Sequence, residues 1–138
     1  MRHIPVDEWG DPAVRYDDLV REALGEWVSK ATFGSYQGDY LYIFRNNDQV
    51  GYLVVGYGSC SACDWLQGLV GYSRWDERSV EDRNELRSEL DRMVARLKTE
   101  VRWFDSADEL IDSVWGDANY WFTHERDFQD SMNKALGR

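Results

Sequence analysis

An α+β fold is what this sequence predicts, and three observations predict it. Two apolar runs with period-two alternation flank an Asn-Asn-Asp turn. Two long stretches carry apolar residues at helical spacing. Seven Trp, eight Tyr and five Phe in 138 residues supply the mass of a packed core. The expected architecture is a small antiparallel sheet built on a central hairpin at about 39–57, packed by helices at about 12–31, 79–101 and 124–136. No repeat, low-complexity tract or linker interrupts it, so residues 1–138 read as one domain.

Along the chain, Asp11-Pro12 suits a helix start, with proline at the first helical position. Tyr16, Leu19, Val20, Ala23, Leu24, Trp27 and Val28 then recur at helical spacing. They place a helix at about 12–31 that runs through Gly25. Gly34-Ser35-Tyr36-Gln37-Gly38 is a break. Tyr40, Tyr42 and Phe44 alternate with Leu41 and Ile43 in the first hairpin strand. Asn46-Asn47-Asp48 turns the chain, and Gln49 to Tyr57 returns it. Apolar residues on both faces predict a sheet covered on both sides. Ala62 to Leu69 reads as a short helix. Leu86, Leu90, Met93, Val94, Leu97 and Val101 form the stripe of a long one, opened by Ser79 with Asp82 three residues on. Val101 to Phe104 reads as a third strand. Ser106 with Glu109 is a capping box for a helix through Trp115 that Gly116 ends. Asn119 to Thr123 reads as a fourth strand or a helix entry. Phe128, Met132, Ala135 and Leu136 mark a last helix, closed by Gly137.

Charge narrows the function classes. Twenty-six acids face 16 bases, for a net charge of −10. The excess is concentrated: Asp105 to Ser131 holds eight acids and one base, Arg126. Such a surface disfavours direct binding to nucleic acid, because each phosphate contact calls for Lys or Arg. It suits a basic protein partner or mimicry of a nucleic acid, and it also keeps a small protein soluble. No apolar run approaches the ~20 residues of a membrane span. The start, Met1 to Asp7, lacks the apolar stretch of a signal peptide. Two cysteines are too few for a disulfide scaffold. The expected setting is the cytoplasm.

The sharpest chemical motif is Gly58-Ser59-Cys60-Ser61-Ala62-Cys63-Asp64-Trp65. Cys60 and Cys63 follow a strand and precede a short helix, the position where a helix start activates a thiol. Both prolines, Pro5 and Pro12, lie upstream, so the downstream proline of a thioredoxin-type enzyme is missing. The pair is also half of a tetrahedral zinc site, whose other half would come from His3, His124 or Asp64; Asp64, next to Cys63, is a poor ligand at that spacing, and His124 is distant in sequence. The plainest expectation is that both cysteines are packed, half-buried loop thiols and that no cofactor is implied, with an occasional disulfide as the remaining reading. His124, near Glu125 and Asp127, has no local Ser or Cys nucleophile and reads as a helix-start histidine rather than a general base. No complete catalytic set emerges, and a non-enzymatic protein is expected. Tyr36, Tyr40, Tyr42, Tyr52, Tyr57, Trp65, Tyr72 and Trp75 read mainly as core. Tyr36, Asp39, Trp65, Asp105 and Trp121 are the candidate contact residues for a partner.

Gly34-Ser35-Tyr36-Gln37-Gly38-Asp39-Tyr40, Gly56-Tyr57-Gly58-Ser59-Cys60-Ser61-Ala62-Cys63-Asp64 and Val101-Arg102-Trp103-Phe104-Asp105-Ser106 occur in that order. Together they resemble a family of small uncharacterised proteins of bacteriophages and actinobacteria, over about residues 34–125. The resemblance carries over no catalytic residues. It implies an intracellular accessory protein, phage-borne in origin, that acts on a host component.

Overall fold

The computed structural model describes residues 1, 3–60, 62–71, 73–117 and 128–137. Its elements run α1 (Tyr16–Leu24), β1 (Ser29–Gly34), β2 (Gly38–Asn46), β3 (Gln49–Tyr57), α2 (Trp65–Val70), α3 (Val80–Glu100), β4 (Arg102–Phe104), α4 (Ala107–Gly116) and α5 (Phe128–Ala135). This is an α+β fold with a four-stranded antiparallel sheet in the order β1-β2-β3-β4. The chain forms two compact units. The first is Met1–Gly25 with Gly58–Thr99, and the second is Glu26–Tyr57 with Glu100–Arg138.

The second unit holds the sheet. In the central hairpin Asn46 pairs with Gln49, and Asn47 turns the chain in the left-handed region at φ 51°. Leu41, Ile43, Val50 and Tyr52 share one sheet face. They form a buried cluster with Leu110, Ile111 and Val114 of α4 and Phe128, Met132 and Leu136 at α5. On α4 the buried side chains recur at helical spacing, so one stripe of the helix meets the sheet. On the other sheet face Tyr42, Phe44 and Leu53 are also buried, as continuous apolar strands require. Gly51 pairs with Trp103, and a Cβ there would lie 2.7 Å from the indole, so glycine makes room for that ring.

Two expectations change in this region. The helix expected at 12–31 ends at Leu24, because Gly25 takes φ 78° and its N–H caps back to the Arg21 carbonyl. Residues 29–34 are instead a strand, paired with β2 from Ser29↔Ile43 to Gly34↔Gly38. The Gly34–Gly38 break is therefore a second hairpin connection. Gly34 has φ 95°, which a side chain resists. Helix-spaced Trp27 belongs to the sheet unit, edge-on to Tyr42 at 4.9 Å. The expected third strand and the Ser106 cap are present, with the Ser106 hydroxyl accepting from Glu109 N at 3.2 Å. Gly116 lies inside α4, and Asp117 rather than Gly116 caps it. Asn119 to Thr123, and the 124–127 start of the last helix, lie outside the described residues.

At the far end of the hairpins Tyr57 stacks on Tyr40 at 4.4 Å, and its hydroxyl donates to the Phe33 carbonyl at 3.2 Å. Burial first, then the charges of Tyr40 and Asp39, raises the Tyr57 phenol above its ordinary 10.0. The folded chain then holds that proton more tightly than the unfolded chain. Its contribution is complete below pH 10 and is lost as pH rises past 10 toward the folded value. Tyr57→Phe is expected to flatten the fall in melting temperature between about pH 8 and about pH 11. Equal falls in variant and wild type would contradict this.

In the first unit, Asp11-Pro12 does not start α1. Pro12 bridges Val6, and Asp7 accepts from Trp9 N and Asp11 N, each at 2.9 Å. The helix begins later, at Arg15, whose N–H the Asp18 carboxylate accepts at 2.9 Å. Helix α3 buries Leu86, Leu90, Val94 and Leu97 of the expected stripe, while Met93 is half-buried and Val101 falls beyond the helix end at Glu100; Ser79 accepts from Asp82 N at 3.1 Å. Among the described residues, no helix is long and apolar enough to cross a membrane.

Candidate functional site

Two sites emerge, one in each unit. In the first, the Cys60–Cys63 loop is built around a buried carboxylate. Asp64 is 5% exposed and takes three donors. Gly58 N donates to Oδ2 at 2.7 Å, Gln67 N to Oδ1 at 3.1 Å and the Tyr16 hydroxyl to Oδ1 at 2.8 Å. Tyr16 in turn accepts from Leu66 N at 3.2 Å, so two first-turn amides of α2 are satisfied by Asp64 and Tyr16. Gln67 Nε2 returns to the Gly58 carbonyl at 2.9 Å. A Cβ on Gly58 would stand 2.4 Å from the Cys63 carbonyl oxygen, so this approach admits only glycine. The turn itself closes through backbone, Cys63 N and Asp64 N both donating to the Cys60 carbonyl at 3.1 and 2.9 Å.

The two sulfurs are joined as a disulfide, and both cysteines are exposed. This corrects the expectation of packed, half-buried free thiols. The buried side chain of the motif is that of Asp64, because a carboxylate with three donors is satisfied inside while the loop is pushed out to water. The zinc alternative gives way as well. Each sulfur is bonded to the other, and among the described residues no group of three or more His, Cys, Asp or Glu side chains is placed to hold a metal. His124 and Trp121 lie outside the described residues, as do Ser61 and Tyr72.

In the second unit, α4 presents an acidic face. Asp105, Asp108 and Asp112 are exposed and spaced by three and four residues, with Trp115 three further on. No base lies between Asp105 and Asp117. Trp115 is 47% exposed yet makes two specific contacts. Its Nε1 donates to Gln129 Oε1 at 3.2 Å, and its ring meets Phe128 edge-on at 5.4 Å. Beside it an open depression of about 400 Å³ is lined by Arg102, Asp112, Ser113, Gly116 and Asp117. Arg102 Nη1 donates to the Tyr52 hydroxyl at 3.2 Å, and Asp105 accepts from Gln49 at 3.2 Å.

Within the second unit the candidate contact residues are not gathered. Asp105 lies on the α4 face. Tyr36, 81% exposed, and Asp39 sit at the other end of the sheet. Seven residue steps along β2, from Gly38 to Arg45, separate the two ends. At about 3.3 Å per residue that is roughly 23 Å. Trp65 is exposed at the start of α2, in the first unit. Tyr42 and Tyr52 are core, while Trp75 lies beneath the guanidinium groups of Arg83 and Arg87, each 5.3 Å from its ring. Sequence reasoning missed Trp115 as a contact residue. The signal was there: an aromatic three residues beyond Asp112 in the most acidic stretch. Neither a family model, nor a curated protein, nor a solved structure matches the chain.

Proposed function

We propose that this protein acts by contact, binding a partner protein of basic surface through the exposed face of α4. One observation carries the reading: Trp115 is half-exposed, with its indole N–H bonded to Gln129 and its ring against Phe128, in a row of acids that no base interrupts. A preordered aromatic loses little freedom on binding, and aromatic anchors dominate interface energies. The acids around it steer a cationic surface and reject an anionic one, which also disfavours nucleic-acid phosphates. Asp112 and Asp117 line the open depression beside Trp115, together with Arg102, and offer two carboxylates to a Lys or Arg head. Such a role fits the resemblance of residues 34–125 to small phage and actinobacterial proteins. The partner would then be a basic host protein, met in the cytoplasm.

Calorimetric titration with a panel of short Arg- and Lys-rich peptides tests this. Binding is expected to weaken as salt rises. Trp115→Ala or Asp112→Asn should weaken it by about tenfold or more, while Tyr36→Ala leaves it unchanged. Equal affinities for wild type and Trp115→Ala would refute the assignment, as would no binding at low salt.

A further inference from the structure

We infer that the Cys60–Cys63 pair is a redox-active site that exchanges with small thiols, with Cys60 the sulfur attacked and Cys63 the sulfur that leaves. Three observations converge on this. The first is access: both cysteines are exposed on a loop rather than packed inside. The second is independence of the frame. The clasp of Gly58, Asp64, Gln67 and Tyr16, and the turn bonds to the Cys60 carbonyl, make no use of the sulfur–sulfur bond. That bond spans a sequence separation of three, so it restrains little of the unfolded chain. A bond that holds little structure, and whose surroundings persist without it, is free to open and close. The third is asymmetry. Cys63 Sγ accepts from Cys60 N at 2.9 Å and has the Ser59 hydroxyl at 3.8 Å. The Cys60 carbonyl oxygen also lies 3.4 Å from Cys63 Sγ, but the amide is closer, so negative charge arriving on Cys63 finds a backbone donor already aimed at it, which makes it the better leaving group.

The chemistry balances as follows. A thiolate RS⁻ attacks Cys60 Sγ. A Cys60–S–S–R bond forms as the Cys60–Cys63 bond breaks, and the electron pair leaves on Cys63 Sγ. A second RS⁻ then attacks the R-side sulfur, so that Cys60 departs as thiolate and RSSR forms. The two thiolates take up the two protons that the attacking thiols gave to water. In sum, protein disulfide plus 2 RSH gives protein dithiol plus RSSR, a two-electron exchange. In the oxidising direction the Cys63 thiolate attacks the mixed disulfide at Cys60 and expels RS⁻.

The test uses the oxidised full chain under native conditions with limiting glutathione. Thiols are blocked by rapid alkylation, and the modified peptides are mapped by mass. The expected trapped species carries glutathione on Cys60 and the alkyl group on Cys63, in about tenfold excess over the reverse arrangement. After excess dithiol, both cysteines should alkylate while circular dichroism stays that of the folded chain. A Cys63→Ser chain treated with oxidised glutathione should hold its adduct at Cys60, whereas the reduced wild type releases it and recloses. Glutathione found mainly on Cys63, or equally on both, overturns the assigned direction. A disulfide that yields to thiol only in urea overturns the site itself.

Discussion

Asp64→Ala is expected to destabilise the chain by about 3–5 kcal/mol in urea unfolding, one of the two largest effects foreseen for a point change. The carboxylate is buried and accepts from two backbone amides and a phenol drawn from three separate segments. Removing it leaves Gly58 N, Gln67 N and the Tyr16 hydroxyl without that acceptor. Each buried donor left unsatisfied costs about 1–3 kcal/mol, with water recovering part at the loop edge. Asp64→Asn keeps one carbonyl acceptor but turns an amide N–H₂ toward donors, and should fall between wild type and alanine. The change should also free the Cys60–Cys63 loop, seen as faster amide exchange at Gly58 and Gln67. A loss below about 1 kcal/mol would mean that the clasp does not hold the loop.

Leu110→Ala is expected to cost a similar amount, about 3–5 kcal/mol, for a different reason. Leu110 is 0% exposed within the cluster that joins α4 to the sheet, beside Val114 and Tyr52. Truncation removes buried methyl groups and leaves a cavity that the surrounding sheet and helices close only in part. Val80→Ala, at an exposed position, is the matched control and should stay within about 0.5 kcal/mol of wild type. The result bears on function, because this packing turns the acidic face of α4 outward. A Leu110→Ala loss no larger than that of the control would show that α4 is not seated on the sheet.

Much of the fold was legible because its causes are local. The 39–57 hairpin is written in period-two alternation and an Asn turn. Helix α3 is written in its leucine stripe, and α4 in Ser106. Strand β1 was hidden by Ala23, Leu24, Trp27 and Val28, which continue a helical rhythm across Gly25; only pairing with β2 decides that 29–34 is extended. The candidate sites divide in the same way. The Cys60–Cys63 spacing was visible, but the exposure of the sulfurs was not. It follows from Asp64, whose partner Tyr16 lies 48 residues away. The acid excess after Asp105 was visible as well. That Trp115 is oriented among those acids by Gln129 and Phe128, from another helix, is something no periodicity reports.

The most direct test of the contact account is an amide chemical-shift map of the isotope-labelled chain titrated with an Arg- and Lys-rich peptide. The shifts should concentrate at Asp105, Asp108, Asp112 and Asp117 and at the Trp115 indole N–H, and fade with added salt. Shifts that gather instead around Tyr36 and Asp39, or that spread without focus over the acidic surface, would contradict binding through α4.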